Sequence, residues 1–158
     1  MKSNKDVCLF CRVNPNHLVA EDEFCYAAKD SFPVTEFHML IIPKRHVAIY
    51  FDLNLSEVTA MHDMLVEMKN VIETKDNSVT GFNIGVNSGK DAGQSIFHVH
   101  VHLIPRRKGD VENPRGGVRG VIPVKQKYCP YVEADSLSAK GPEQFWMSQR
   151  EYLRQLVF

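Results

Sequence analysis

Residues 97–104 read Phe-His-Val-His-Val-His-Leu-Ile, so apolar residues alternate with His98, His100 and His102. Successive side chains of a β-strand point to opposite faces, and the alternation predicts a strand over 97–104 with three imidazoles on one face. Neighbouring imidazoles would stand roughly 6.5 to 7 Å apart. Because an unpaired histidine is costly to bury, a strand built only for packing would carry Val, Ile or Thr there. We interpret the stretch as a functional site rather than as chance clustering on a solvated face.

A glycine-containing loop, residues 87–95, comes directly before this strand and reads Asn-Ser-Gly-Lys-Asp-Ala-Gly-Gln-Ser. Such a loop can offer backbone N–H groups and small polar side chains to an anion. A row of imidazoles beside an anion-binding loop favours phosphoryl or nucleotidyl transfer, in which one histidine attacks phosphorus and its neighbours orient it or move protons.

These residues resemble the histidine triad (HIT) family, whose motif is His-φ-His-φ-His-φ-φ, with φ an apolar residue. The motif is matched by residues 98–104, and the Gly-Gln-Ser of 93–95 and Asn87 precede it as in that family. The similarity extends back through residues 38–46 to Asp30 and covers roughly residues 8–107. We therefore expect a single HIT domain over residues 1–158, with a core at about 8–107 and an extension at 108–158.

The resemblance implies that His100 is the nucleophile, and the strand gives an independent reason, since only the middle histidine has a neighbour on each side. His102 is expected to hold a non-bridging phosphate oxygen. His98 and His38, the family's fourth histidine, are expected to orient His100. The resemblance further implies that Asp30 binds the ribose hydroxyls, the alternative being that this aspartate only caps the turn after its strand. It also implies that Gln94, Ser95 and Asn87 contact the phosphate, leaving group or ribose.

A Cys-x-x-C pair, Cys8 and Cys11, has the spacing of half a zinc site. Some bacterial HIT proteins bind zinc with such a pair and two histidines, and the matching residues here are His46 and His98. The alternative is two buried thiols that behave as small hydrophobes. His17 is a second candidate ligand or an ordinary loop residue. The chemistry proposed for His100 requires no cofactor, so any zinc would be structural.

Composition restricts the partners. The 158 residues contain 44% hydrophobic and 24% charged residues, as expected for a soluble globular protein. Lys plus Arg equals Asp plus Glu at 19 each, which gives no general electrostatic reason to bind nucleic acid or a membrane. The start has no signal-peptide pattern, and no run approaches the ~18 apolar residues of a membrane span. We expect a cytoplasmic protein.

The remaining patterns predict an α+β fold with about five mainly antiparallel strands. Strands are expected at 23–28, 37–43 and 81–87 besides 97–104. An Asn-x-x-Glu capping signal at Asn54 starts a long amphipathic helix that runs from 55 to 75.

The last fifty residues change in composition. Residues 108–120 are rich in charge, Gly and Pro and predict an extended loop, whose neighbouring cations form either a basic lip near the triad or a solvated surface. Residues 143–158 predict a C-terminal amphipathic helix. The HIT resemblance implies a homodimer in which two sheets join.

Taken together, the sequence predicts a hydrolase or transferase that cleaves a purine nucleotide at the α-phosphate through a nucleotidyl-histidine on His100. Dinucleoside polyphosphates and nucleoside phosphoramidates are the two substrate classes considered. The alternatives are a nucleotide-binding protein or a zinc-binding regulatory protein with little turnover.

Overall fold

The structure is a computed structural model and describes residues 8–127. The described residues divide into two compact units, 8–114 and 115–127. Within the described residues no helix is long and apolar enough to cross a membrane. The proposal of a single domain over 1–158 stays a prediction.

A five-stranded sheet forms the first unit, and all of its neighbouring strands are antiparallel. The strand order is β1-β2-β3-β5-β4, so the last strand lies between two earlier ones. With the helix described next, this confirms the predicted α+β fold. The strands are β1 (Leu18–Glu21), β2 (Cys25–Lys29), β3 (Met39–Pro43), β4 (Val79–Val86) and β5 (Val101–Arg107).

The long helix α1 spans Leu55–Lys75, as predicted. Its start is a capping box, in which the Asn54 side chain accepts from the Glu57 backbone N–H and the Glu57 carboxylate accepts from the Asn54 N–H, both at 2.9 Å. Apolar residues at helical spacing form one face of α1, and this face packs into the core against β2, β3 and β5. That buried face consists of Met61, Met64, Met68 and Ile72.

The strand prediction over 97–104 is wrong in its bounds, because β5 begins at Val101 and continues to Arg107. His98 and His100 therefore precede the strand. The Val99 N–H donates to the Val47 carbonyl at 2.7 Å, a contact with the chain after β3 and outside the regular ladder. Alternating side chains predict an extended chain, whereas strand bounds depend on which backbone is available to pair.

Other strand bounds also differ from the prediction, including those of β2, which begins at Cys25 and ends at Lys29, and the start of β4 at Val79. β3 begins at Met39, because Phe37 has a φ of 64° and this left-handed conformation cannot continue a strand. β4 ends at Val86, so Asn87 lies just beyond it. The strand β1 was not predicted, since its four residues give too short a pattern.

The second unit contains a short 3-10 helix over Gly117–Val121 and a four-residue helix, α2, over Pro123–Gln126. The expectation of a loop without elements over 108–120 is therefore wrong at its end. Gly116 adopts a φ of 79°, and a Cβ there would meet the Gln126 carbonyl oxygen, so this turn requires glycine. The predicted helix at 143–158 lies outside the described residues.

Candidate functional site

An open cavity of about 470 Å³ lies over one face of β2, β3 and the start of β5. Its polar end contains His100, His102, His38 and Asp30, and Ser95 also lines the cavity. Its other walls are largely apolar. They include Phe10, Val13, Ala28, Leu40 and Ile42. A mostly apolar pocket with a few convergent polar groups has the general character of a small-molecule site.

His100 is buried, and its Nδ1 lies 2.8 Å from the His98 carbonyl oxygen. A carbonyl can only accept, so Nδ1 carries the proton and donates. The Nε2 atom of the neutral ring then holds the free lone pair. His100 is thus fixed in the tautomer that a nucleophile acting through Nε2 requires.

His38 and His102 form a hydrogen-bonded pair, with His38 Nε2 3.0 Å from His102 Nδ1. The Val34 N–H donates to His38 Nδ1 at 3.3 Å, so the proton of the neutral His38 ring is on Nε2. His38 therefore donates to His102 Nδ1, which leaves the proton of His102 on its Nε2. The result is a neutral His102 whose second nitrogen is a donor, which suits contact with a phosphate oxygen.

Asp30 lies beside this pair. Its Oδ2 is 3.5 Å from His38 Nε2 and 3.8 Å from His102 Nδ1, and its Oδ1 accepts from the Phe32 N–H at 2.7 Å. Burial lowers the pKa of His38 although Asp30 opposes it, and burial together with His100 and His38 lowers the pKa of His102. Both effects favour the neutral rings.

The predicted phosphate-binding loop supplies one residue to the cavity wall, Ser95, which is exposed. Gln94 is buried instead, and its amide N–H groups donate to the Ala48 and Ile96 carbonyls at 2.7 and 3.1 Å. Its carbonyl oxygen accepts from the Gly89 N–H at 2.8 Å. Gln94 thus holds the loop together in this structure, and neither it nor the half-buried Asn87 is part of the cavity wall.

The predicted metal ligands Cys8, Cys11, His46 and His98 come together, with one donor atom from each within 4.8 Å of the others. We call these four candidate ligands the metal cluster. Cys8 Sγ and Cys11 Sγ lie 3.4 and 3.6 Å from His98 Nδ1, and Cys11 Sγ lies 3.3 Å from His46 Nδ1. Zn–S bonds of ~2.3 Å and Zn–N bonds of ~2.0–2.1 Å imply ligand separations of roughly 3.3 to 3.8 Å in a tetrahedron. These residues fit a zinc ion.

The orientation of His98 agrees with this fit. His98 has no exposed surface, and its Nε2 donates to the Pro43 carbonyl at 2.8 Å. Its Nδ1 lone pair therefore faces the two thiols. A metal-binding histidine commonly donates its other N–H to a carbonyl in this way. Burial, with smaller effects of His46 and His100, lowers the pKa of His98 and favours the neutral, ligating ring.

His17 and two arginines lie in surroundings that differ from those considered for them in the sequence. His17 lines the cavity with its Nδ1 3.3 Å from Ser31 Oγ, outside the metal cluster. Arg106 and Arg107, two members of the predicted basic lip, pair with Asp110 and Asp76 at 2.8 and 2.6 Å.

The cavity wall formed by residues 9–14 was missed by sequence reasoning, although Cys8 before this segment and Cys11 within it were predicted as metal ligands. No local pattern in the sequence indicates that this segment faces the triad. The contact that fixes it is the Tyr26 hydroxyl, which donates to the Phe10 carbonyl at 2.6 Å.

Comparison with known proteins gives a family model, the HIT domain, that matches residues 11–109. The adenylylsulfatase HINT3 of Arabidopsis thaliana is 37% identical over 107 residues, which cover 65% of this chain and 54% of that protein. The asymmetrical bis(5'-nucleosyl)-tetraphosphatase of Schizosaccharomyces pombe is 45% identical over 78 residues, 49% of this chain and 42% of that protein. The chain thus spans only about half the length of these two relatives.

Among solved structures, a Zn-bound histidine triad family protein from Mycobacterium smegmatis matches with a TM-score of 0.64 and 32% identity. The match covers 70% of this chain and 82% of that one. Fold and sequence therefore agree over the region that carries the triad. Since the HIT model covers well over half of the 158 residues, this protein belongs to the HIT family.

Proposed function

We propose that the protein is a nucleotide hydrolase or transferase that cleaves a purine nucleoside phosphate at the α-phosphate through a nucleotidyl-histidine on His100. The observation that carries the proposal is the pair of tautomers at the polar end of the cavity. His100 presents a lone pair on Nε2, and His102 presents a donor on Nε2. A nucleophile and a donor for a developing negative charge are the two groups that attack on phosphorus requires.

The reaction proceeds in two displacements. His100 Nε2 attacks the α-phosphorus, the bond to the leaving group breaks, and that group departs with the bonding electron pair. A phosphate leaves as an anion, whereas an amine takes a proton from solvent and leaves as the neutral amine. The His102 Nε2–H binds a non-bridging oxygen as its charge grows. Water then attacks the phosphorus, the P–Nε2 bond breaks, and the water proton passes to solvent. His100 returns to its neutral form with Nδ1 still donating to the His98 carbonyl.

The cavity supports a nucleotide in other ways. Its apolar wall suits a base, and Asp30 lies at the polar end where a carboxylate can accept from ribose hydroxyls. Ser95, an exposed residue of the cavity wall, is proposed to donate to a phosphate oxygen. Gln94 is proposed to act through the loop that it braces, because both of its N–H groups are already used.

A zinc ion bound by Cys8, Cys11, His46 and His98 would be structural, since four protein ligands complete a tetrahedron. The Pro43 carbonyl would support such a site, because it holds His98 in the tautomer that can bind a metal through Nδ1. A homodimer, a cytoplasmic location and the absence of nucleic-acid and membrane partners remain predictions from the sequence.

The decisive experiment compares diadenosine tetraphosphate with adenosine phosphoramidate as substrates for the purified protein. The wild type is expected to turn over at least one of them, and His100→Ala is expected to lose about a thousandfold or more in kcat while still binding AMP. His62→Ala is the matched control, because His62 is an exposed histidine on α1 and should leave turnover unchanged. Mass spectrometry of the wild-type protein, kept at alkaline pH after mixing with substrate, should find the nucleotidyl group on His100.

The second candidate is a nucleotide-binding or zinc-binding regulatory protein with little turnover, and the four-residue metal cluster favours it. Binding of AMP by wild type without turnover of either substrate would support this candidate and contradict the first. Elemental analysis of protein purified without added metal tests the zinc. Less than one zinc per two chains would argue against a structural site.

A further inference from the structure

One short turn joins the metal cluster to the cavity. The 3-10 helix Leu9–Cys11 follows Cys8, so the two cysteines of the cluster directly enclose residues 9 and 10. Leu9 and Phe10 both line the cavity, as does Arg12 just after the turn. Any ion that binds the two thiols therefore holds the backbone of a cavity wall.

Phe10 has three sets of contacts within the described residues. Its carbonyl accepts from the Tyr26 hydroxyl, and its ring packs against the small apolar cluster formed by Tyr26, Ala28, Leu40 and Ile42. The ring also meets the histidines edge on, with centroids 5.0 Å from His100 and 6.1 Å from His98. Phe10 thus contacts both the other apolar residues of the cavity wall and the ring of the proposed nucleophile.

His98 completes the connection from the metal cluster to His100. Its Nδ1 faces Cys8 and Cys11, while its backbone carbonyl accepts from His100 Nδ1. The nearest partners of the nucleophile's ring, the His98 carbonyl and the Phe10 ring, therefore both belong to residues that the metal cluster holds.

We propose that Phe10 is a positioning residue for the nucleotide pocket and that metal binding and nucleotide binding are positively coupled through it. An ion that joins residues 8 and 11 to His46 and His98 orders the turn before the nucleotide arrives. Nucleotide binding then loses less conformational entropy. Coupling of this kind is reciprocal, so the nucleotide must tighten the metal by the same factor. The inference rests on the proposed nucleotide site.

The first test uses the wild-type protein and two probes, Zn²⁺ and AMP. Calorimetry is expected to show that AMP binds about tenfold more tightly to zinc-loaded than to chelator-treated protein. Competition against a chromophoric chelator should show Zn²⁺ affinity raised by the same factor when AMP is saturating. Equal AMP affinity in the two forms, within twofold, would overturn the coupling and leave the proposed function intact. No AMP binding by zinc-loaded protein would overturn both.

The second test assigns the coupling to Phe10, and its AMP-binding and kinetic measurements use zinc-loaded protein, so these measurements hold even if chelation unfolds the chain. Phe10→Ala is expected to bind AMP about tenfold more weakly, to raise KM more than it lowers kcat, and to lose the effect of AMP on Zn²⁺ affinity. Phe10→Leu, which restores apolar volume, should recover most of the effect of AMP on Zn²⁺ affinity. Phe51→Ala, at an 85% exposed aromatic outside the cavity wall, is the matched control.

A Phe10→Ala variant that binds one zinc per chain and keeps the full effect of AMP on Zn²⁺ affinity would overturn the role of Phe10. Equal losses in Phe10→Ala and Phe51→Ala would also overturn it, because they would reflect a general loss of stability.

Discussion

At the scale of single residues, backbone groups decide which nitrogen of each histidine carries the proton. The His98 carbonyl fixes His100, and the Val34 N–H fixes His38, which in turn fixes His102. Without these backbone contacts, the neighbouring imidazoles could carry their protons in several different arrangements. Because the backbone sets the tautomers, the nucleophile and the phosphate donor are assigned before a substrate binds.

The burial of His38 and His102 predicts how the stability of the protein depends on pH. Burial lowers the pKa of His38 and His102, whereas histidines of the unfolded chain titrate near the usual value of ~6.5. As the pH falls below ~6.5 the unfolded state binds protons first, so the stability that these residues contribute is present above that pH and is lost towards their lower folded pKa.

We therefore expect the free energy of unfolding to fall between pH 7 and 5.5, and to fall less in His38→Gln. Urea unfolding of zinc-free protein measures it, since metal binding is itself dependent on pH. The control is His62→Gln, at an exposed position. A slope in His38→Gln as steep as that of the wild type would contradict the explanation.

At the scale of elements, the start of α1 is tied to the end of β3. Arg45, two residues beyond β3, donates through Nε and Nη2 to the Glu57 carboxylate at 2.6 and 2.7 Å. The same carboxylate closes the capping box, and the Arg45 contact is the main reason that the pKa of Glu57 is lowered. Since Arg45 precedes His46, this ion pair also holds the chain that supplies a predicted metal ligand.

Glu57→Ala is expected to destabilise the protein by about 2 kcal/mol, since it removes a capping interaction and the partner of Arg45 at a position only 3% exposed. Chemical denaturation measures the loss. Glu67→Ala, at an exposed position of the same helix, should change stability by less than about 0.5 kcal/mol. Similar losses of stability in the two variants would contradict a specific stabilising role for the contacts of Glu57.

At the scale of the whole molecule, the strand order leaves β4 at an edge of the sheet within residues 8–127. This edge strand has eight residues, and its Ile84 is 51% exposed. A long edge strand with an exposed apolar side chain is suited to pairing with another chain. The homodimer expected from the sequence is therefore proposed to form along β4.

Ile84→Lys is expected to convert a dimer into a monomer, because it places a charge on that edge. Sedimentation velocity measures the change, and Phe51→Lys, which alters another exposed apolar residue, is the control. A wild type that sediments as a monomer, or an Ile84→Lys variant that stays dimeric, would exclude an interface at β4.

Features that depend on near neighbours in the chain could be predicted from the amino-acid sequence alone. The alternation at 97–104, the capping signal at Asn54 and the Cys8–Cys11 spacing pointed to three neighbouring histidines, the bounds of α1 and two of the four clustered candidate metal ligands, although only His100 and His102 of the three histidines line the cavity. The other half, His46 and His98, came from the family resemblance. Periodicity and capping are local properties, so a single sequence expresses them directly.

Contacts between residues that are distant in the sequence became visible only in the folded chain. The pairing of β3 with β5 sets Leu40 opposite His102 and so brings His38 to His102, 64 positions away. The closure of residues 9–14 over the cavity and the inward orientation of Gln94 were equally absent from any local pattern. These arrangements follow from strand register and from which buried polar groups find partners, and both are settled only when the whole chain packs.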